Sequence, residues 1–465
     1  MSAELIYNLV YDYYETRIAM GVYRCGDILP SIPKIAEGFQ MAPLTVRSAL
    51  TRLEKKGYIR IISRKPAEVI YRIDESHVRQ NAASYFVPRM AGLVDFCQSG
   101  KLLIEPVWEY ARLNLGEEKL PCLKSKLAQA GKVELPVSVR HHLYVFAALK
   151  NKLFLNFYWE VLRYMRFPYL ASNSTHQERD QALLFNKNEN QIEFMKEAFE
   201  GDYGNSLKYL QDFCLWAQKE YDLEDKEQIP FCWNIYWQRP QLCYTLVSHI
   251  ILGIIRGTYP EGSVLPSMPI MSKQLKVSYR TLRRTLSILG SLGVIRLHQG
   301  KAAEVCTDIE QIDFSRQEIK EGARLYRESL QFMAITIRPV LLFTLENARK
   351  EDQEYLADAF AQMLRQNTCH KCFKITIGFI IEKCPSATVR ECYRKLSEFM
   401  VWGYPFTRYR VKKQQLKNEY ASMVQRAAPC LKDGDWACFA DYWKDLMACE
   451  QQKAEHFLFK NNIRL

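Results

Sequence analysis

Residues 21–69 read GVYRCGDILPSIPKIAEGFQMAPLTVRSALTRLEKKGYIRIISRKPAEV, and residues 257–305 read GTYPEGSVLPSMPIMSKQLKVSYRTLRRTLSILGSLGVIRLHQGKAAEV. The two stretches align without a gap at a constant offset of 236 residues and share 18 of 49 positions. The shared residues are not those that any two amphipathic segments have in common. They include three pairs of glycines, the Leu-Pro-Ser trio at 29–31 and 265–267, a Thr and an Arg on one helix, and the closing Ala-Glu-Val. A period of half the chain indicates a doubled protein and not a solenoid of many short repeats.

Within each copy, Gly21 or Gly257 suits the left-handed position just past a helix C-terminus, and Gly26 or Gly262 closes the loop that follows. Ser31 and Ser267 are placed to cap a short helix, with Pro33 and Pro269 in its first turn. In the next helix Val46, Ala49, Leu50 and Leu53 recur at helical spacing, which leaves Arg47, Ser48 and Arg52 on the polar face. Gly57 or Gly293 then ends that helix. Two β-prone runs, Tyr58 to Ile62 and Glu68 to Arg72, flank basic residues. The expected local structure is a helix-turn-helix followed by a basic two-stranded wing.

The pattern Gly-x-Tyr-x-x-Gly-x-x-Leu-Pro-Ser, a helix, then Thr-Val-Arg-x-Ala-Leu-x-x-Leu and a wing resembles the DNA-binding domain of the GntR superfamily of bacterial transcription regulators. The resemblance covers about 70 residues in each half. The second wing, Leu297 to Ala302, is similar to that of the FadR branch, in which a glycine-containing basic tip enters the minor groove. The resemblance implies DNA contacts from Thr45, Arg47, Ser48, Arg52, Arg64 and Lys65 in the first copy. In the second it implies Ser278, Tyr279, Arg280, Thr281, Arg283, Arg284, His298, Gln299, Gly300 and Lys301. Arginine suits such a helix because its fork grips guanine or phosphate with two hydrogen bonds. Two departures stand out. Pro33 and Pro269 occupy the place where the family often has an arginine. Ala42-Pro43-Leu44 stands opposite Ser278-Tyr279-Arg280, so the first reading helix starts less polar than the second.

Composition agrees with a nucleic-acid partner. The chain of 465 residues carries a net charge of +12. Residues 241–306 hold eight Lys/Arg against two acidic residues, and residues 1–74 hold eleven against eight. Such an excess favours association with polyanions and says nothing about fold. A hydrophobic content of 48% suffices for several packed domains. No stretch approaches the ~18–20 uninterrupted apolar residues of a membrane span, and acidic residues lie where a signal peptide would be basic. A cytoplasmic location without membrane contact is expected, and the 14 scattered cysteines read as free thiols.

Residues 80–230 and 312–465 show helical periodicity without hairpin signals. The fold class expected is mainly α, with two winged helix-turn-helix domains, 1–74 and 240–307, each followed by an all-helical bundle domain. The whole would be an internal duplication, a pseudo-dimer in one chain. Weak echoes continue the duplication into the bundles: Glu105-Pro106-Val107 beside Arg338-Pro339-Val340, Tyr164-Met165 beside Phe399-Met400, and Gly201-Asp202-Tyr203 beside Gly434-Asp435-Trp436. The helical regions resemble the effector domains of the FadR branch, many of which hold a metal through an aspartate and three histidines. Here His77, His141, His142, His176, His370 and His456 lack the needed intervals, so no metal site and no cofactor are expected. Cys369-His370-Lys371-Cys372, with Cys384 and Cys392 downstream, is the remaining metal candidate, but a lone pair of this spacing reads first as core or surface thiols. The aromatic runs Phe154 to Trp159, Phe167 to Leu170 and Phe399 to Tyr409 read either as bundle core or as the lining of a pocket for an apolar small-molecule effector.

The functional expectation is a sequence-specific, double-stranded-DNA-binding regulator, working as a monomeric pseudo-dimer or a homodimer on an asymmetric or pseudo-palindromic operator. A plasmid-type replication initiator, which also carries two winged helices and binds origin repeats, explains the duplication equally well. Catalysis is not expected. The GntR branch with an aminotransferase-like domain needs a glycine-rich α/β domain, and this chain has 20 glycines in all.

Overall fold

The computed structural model describes residues 3–39, 42–63, 65–115, 142, 145–166, 207–233, 242–298, 301–306, 312–412 and 415–460. The chain divides into two compact units, Met1–Cys232 and Trp233–Leu465. Gly201 to Tyr203, Phe167 to Leu170, His141 and His176 lie outside the described residues.

The first unit opens with α1 (Ala3–Ala19), α2 (Ile32–Gly38) and α3 (Pro43–Lys55), followed by β1 (Ile59–Arg60) and β2 (Glu68–Val69). α3 buries Val46, Ala49, Leu50 and Leu53, the stripe that the spacing predicts, and packs it against α1. The antiparallel ribbon pairs Ile59 with Val69 and Arg60 with Glu68. Ile59 and Val69 point into the core while Arg60 faces solvent, the alternation that a half-buried strand requires. The second unit sets out the same elements: α8 (Leu242–Arg256), α9 (Met268–Leu275), α10 (Tyr279–Ser291), β3 (Ile295–Arg296) and β4 (Glu304–Val305). Its ribbon pairs Ile295 with Val305 and Arg296 with Glu304, each residue 236 positions beyond its counterpart.

Six glycines set the turns. Gly21, Gly26 and Gly57 have φ of +72°, +95° and +79°, and Gly257, Gly262 and Gly293 have +83°, +84° and +68°. Side chains rarely adopt this region, which explains why these positions are glycine in both copies. One expectation is corrected. Ser31 and Ser267 occupy the N-cap positions of α2 and α9 with extended backbone, but neither side chain makes a capping hydrogen bond.

The rest of each unit is helical. In the first, α4 (Glu75–Phe86) is capped by Asp74, which accepts from the His77 amide at 2.9 Å. The chain continues through the 3-10 turn Val87–Arg89 into α5 (Met90–Leu103), α6 (Glu105–Leu115) and α7 (Lys152–Tyr164). Phe154, Phe157, Tyr158 and Trp159 of α7 are buried, with Phe146 edge-on to both Phe154 and Tyr158. This aromatic run is therefore bundle core.

In the second unit the long α11 (Gln317–Asn347) packs against α14 (Ala387–Met400) and α17 (Trp436–Lys460), with α12 (Lys350–Arg365), α13 (Cys372–Lys383), α15 (Tyr404–Lys412) and α16 (Gln415–Asp433) completing the bundle. By length and composition α11 could cross a membrane, and 61% of its most apolar stretch is buried within the unit. The echo of Glu105-Pro106-Val107 in Arg338-Pro339-Val340 does not extend to local geometry. Pro106 sits in the first turn of α6, where a proline costs no hydrogen bond, whereas Pro339 lies inside α11.

Two polar features tie this bundle together. Arg410 of α15 and Glu450 of α17 are both buried and make a two-pronged ion pair at 2.7 and 3.0 Å, extended by Glu419 and Lys453. Cys430 and Cys438 come together across the turn between α16 and α17, with their Cα atoms at a spacing that a disulfide can bridge. The cause is local. Gly434 turns the chain with φ +73°, and Asp435 caps α17 through the Cys438 amide, bringing the two Cα atoms to 6.0 Å.

Close backbone approach fixes how α11 meets the 3-10 turn Val401–Gly403. Gly322 lies against the Trp402 ring, and Gly403 lies against the Tyr326 ring, so neither position has space for a Cβ. Gly322→Ala should therefore lower the stability of the second unit by about 1–3 kcal/mol, as overpacking of a filled core does. Thermal unfolding followed by circular dichroism reads this, and an unchanged midpoint would show that the rings are free to move aside.

Candidate nucleic-acid interface

In each unit the helix after the second turn presents one face to solvent beside the ribbon. On α3 that face is Leu44, Arg47, Ser48 and Thr51, spaced i, i+3, i+4 and i+7. On α10 the matching positions are Arg280, Arg283 and Arg284, all exposed, and Ser287, half-buried against Arg316. Neither helix has an acidic residue in its first turn, so the positive end of each dipole is left uncompensated.

Arg47 and its counterpart Arg283 are exposed, and neither side chain has an ionic partner among the described residues. The same holds for Lys65 and its counterpart Lys301 between the strands, and for Tyr279 and Arg280 at the start of α10. Thr45 and Thr281 are half-buried at matched positions. Ser278 caps α10: its hydroxyl accepts from the Thr281 amide at 3.1 Å and lies 2.8 Å from the Thr281 hydroxyl. Ala42 holds the same place before α3 with nearly the same backbone, φ −68° and ψ 136°, and offers no side-chain acceptor.

Other candidates are engaged within the fold. The Arg52 guanidinium lies over the Tyr11 ring of α1, 4.1 Å from its centroid. Arg284 pairs with Glu318 at the start of α11 at 3.3 Å. The Glu318 carboxyl is held below the ordinary range, first by its own backbone amide and then by Arg316 and Arg284. The His298 Nε2 lies 3.4 Å from Glu304 Oε2. Ser48 donates to the Leu44 carbonyl at 3.1 Å. Arg64, Gln299 and Gly300 lie outside the described residues.

Two residues of this surface escaped the sequence reading. Arg60 and Arg296, identical in the repeat, stand on the outer face of each ribbon, opposite buried Ile59 and Ile295 by strand alternation. Their signal was the two-residue period of the Ile-Arg step.

Among the described residues no group of three or more His, Cys, Asp and Glu could hold a metal ion. Cys369, Cys372, Cys384 and Cys392 are all buried, and burial pushes the Cys369, Cys372 and Cys392 thiols up. Around Trp402 and Phe406, an apolar cavity of about 30 Å³ is lined by Leu292, Ile319, Tyr326 and Phe457 among others. That is room for a water or two and not for an acyl chain.

In the first unit, three helices closed by a two-stranded ribbon, with a cationic outward face on the third helix, make a winged helix-turn-helix. Residues 6–69 match the family described as "Bacterial regulatory proteins, gntR family", so the chain begins with a GntR-family helix-turn-helix domain. No curated protein matches the chain. Solved structures similar to it include "Streptococcus agalactiae GntR", 11% identical, with TM-score 0.19, over 45% of this chain and 99% of that one. "E. coli McbR/YncC" is 15% identical, with TM-score 0.26, over 47% and 98%. A putative transcriptional regulator GntR from Rhodococcus sp. RHA1 is 13% identical, with TM-score 0.25, over 46% and 98%.

The capping difference is directly measurable. Ser278→Ala should cost about 1 kcal/mol by removing the acceptor for the Thr281 amide, and Ala42→Ser should gain a similar amount in the first unit. Chemical denaturation of both variants is the check; equal and negligible shifts would mean that the caps contribute nothing.

Proposed function

We propose that the chain is a sequence-specific DNA-binding transcriptional regulator carrying two winged helix-turn-helix domains, 1–74 and 240–307, as an internal duplication. On this reading each is followed by a helical domain, 80–230 and 312–465. The observation that carries the proposal is the agreement of exposed cations, without ionic partners among the described residues, at matched positions, Arg47 with Arg283 and Lys65 with Lys301, on a helix-and-ribbon frame repeated at a constant offset. The GntR match at residues 6–69 supports the choice of ligand.

In this mechanism α3 and α10 enter the major groove, where arginine reads guanine or clamps phosphate, and the tips holding Lys65 and Lys301 track the neighbouring minor groove. Because the two helices present different residues, one chain is suited to an asymmetric operator. Arg52 and Arg284 are held by Tyr11 and Glu318, so they contribute less than Arg47, Arg280 and Arg283. A small-molecule effector would act by binding a helical domain with different affinity in the DNA-competent and incompetent states. The cavity near Trp402 is too small to be that site in the present conformation.

Selection from a randomised duplex pool at low and near-physiological salt tests the proposal, since salt strips the non-specific component. An asymmetric motif that survives the higher salt is expected; the absence of any enriched sequence would sink the idea. On the selected duplex, Arg283→Ala should cost roughly 1–3 kcal/mol and relax one base position. Glu318→Gln should release Arg284 to the phosphates, tightening binding and steepening the dependence on salt by about one ion. A salt slope that does not change would mean that Arg284 points away from the nucleic acid even when free.

A further inference from the structure

We infer that Leu44 is a specificity residue of the first unit, reading the C5-methyl group of a pyrimidine in the major groove, so that the two reading helices recognise chemically different half-sites. The inference rests on the DNA-binding reading above and assigns it a base-level chemistry.

Leu44 is the second residue of α3 and is 74% exposed. It does not belong to the core stripe of that helix, which is Val46, Ala49, Leu50 and Leu53. It stands instead on the outward face, one turn before Arg47 and Ser48. The hydroxyls of that face spend their protons on the helix backbone. Ser48 donates to the Leu44 carbonyl at 3.1 Å, and Thr51 donates to the Arg47 carbonyl at 3.0 Å. The outward chemistry of α3 is therefore one branched aliphatic side chain beside a guanidinium without an ionic partner among the described residues and two hydroxyls left only as acceptors, preceded by exposed Ala42 and Pro43. The same positions of α10 carry Arg280 and Arg283, with Ser278 and Tyr279 ahead of them.

A single exposed leucine is ordinary on a protein surface. Its place on the same helical face as Arg47 is what assigns its ligand. Whatever Arg47 approaches, Leu44 approaches one turn earlier. The major groove edge of a base pair offers donors, acceptors and one apolar group, the C5-methyl of thymine. 5-Methylcytosine carries the same group at the same ring position. A leucine that replaces an arginine at the head of the helix thus exchanges recognition of guanine or phosphate for recognition of a methyl group.

The test uses the full chain and the duplex selected by it. Each thymine of the half-site assigned to the first unit is replaced by uracil, which deletes the methyl alone, and at the responsive position cytosine is compared with 5-methylcytosine. The proteins are wild type, Leu44→Ala and Arg280→Ala; because Leu44 is exposed, its truncation should leave the thermal midpoint in place. Wild type should lose about fourfold in affinity at one thymine, the effect of one buried methyl. Leu44→Ala should show no such loss, and Arg280→Ala should keep it. The larger of the thymine-over-uracil and methylcytosine-over-cytosine steps identifies the natural base. A uracil effect of the same size in Leu44→Ala, or none at any thymine, overturns the inference while leaving the regulator reading intact. Failure of wild type to select any sequence overturns both.

Discussion

In each unit the placing of the helix after the second turn, α3 or α10, depends on a short backbone clasp between the loop before α2 or α9 and the last strand of the ribbon. The Gly26 amide donates to Val69, the Val69 amide to Asp27, and the Leu29 amide to Ala67, each at 2.8 Å. The second unit repeats the set with Gly262 to Val305, Val305 to Ser263 and Leu265 to Ala303, again at 2.8 Å. Strands of two residues are too short to hold a wing alone, and the clasp adds a third segment, seen also as bridges from Ile28 to Glu68 and from Val264 to Glu304. It forms only because Gly26 and Gly262 take the left-handed turn that brings the loop alongside the strand.

The way α3 and α10 are anchored to the rest of their units differs. In the first, α1 mediates. Its Tyr11 lies under Arg52 of α3, while its Asp12 and Glu15 pair with Arg163 and Arg166 at the end of α7, at 2.7 and 2.8 Å. Burial nevertheless pushes the Asp12 carboxyl up, outweighing the nearby arginine. In the second unit the helical bundle grips α10 without an intermediary. Arg316, just before α11, donates to the hydroxyls of Ser287 and Ser291 on α10 at 3.0 and 2.6 Å, and Glu318 holds Arg284. A displacement of α11 would reach α10 in one step, and a displacement of α7 would reach α3 in two.

The parts of this arrangement that were legible in the sequence are those set by local periodicity. The stripe of α3, the turn glycines and the ribbon positions follow from spacing and from φ alone. What spacing cannot see is a partner far along the chain. Arg52 reads as a free cation on a polar face until Tyr11 is found beneath it, and Arg284 likewise until Glu318 is found beside it. Ser31 and Ser267 have the right residue type and backbone for a cap, yet make no capping bond, because the type permits the bond without compelling it. The helical halves announce themselves by periodicity, but the break of the first at Ile104 and the passage of α11 through Pro339 are tertiary outcomes. The approach of Cys430 to Cys438 depends on a turn at Gly434 whose geometry no cysteine count reveals.

Ala42-Pro43-Leu44 and Ser278-Tyr279-Arg280 occupy equivalent places on equivalent helices, but they are encoded separately. In a symmetric dimer of one shorter chain, every substitution on the outward face is written twice, and both halves of any bound target must tolerate it together. Here a change at residue 44 leaves residue 280 untouched. The two surfaces can therefore change one at a time.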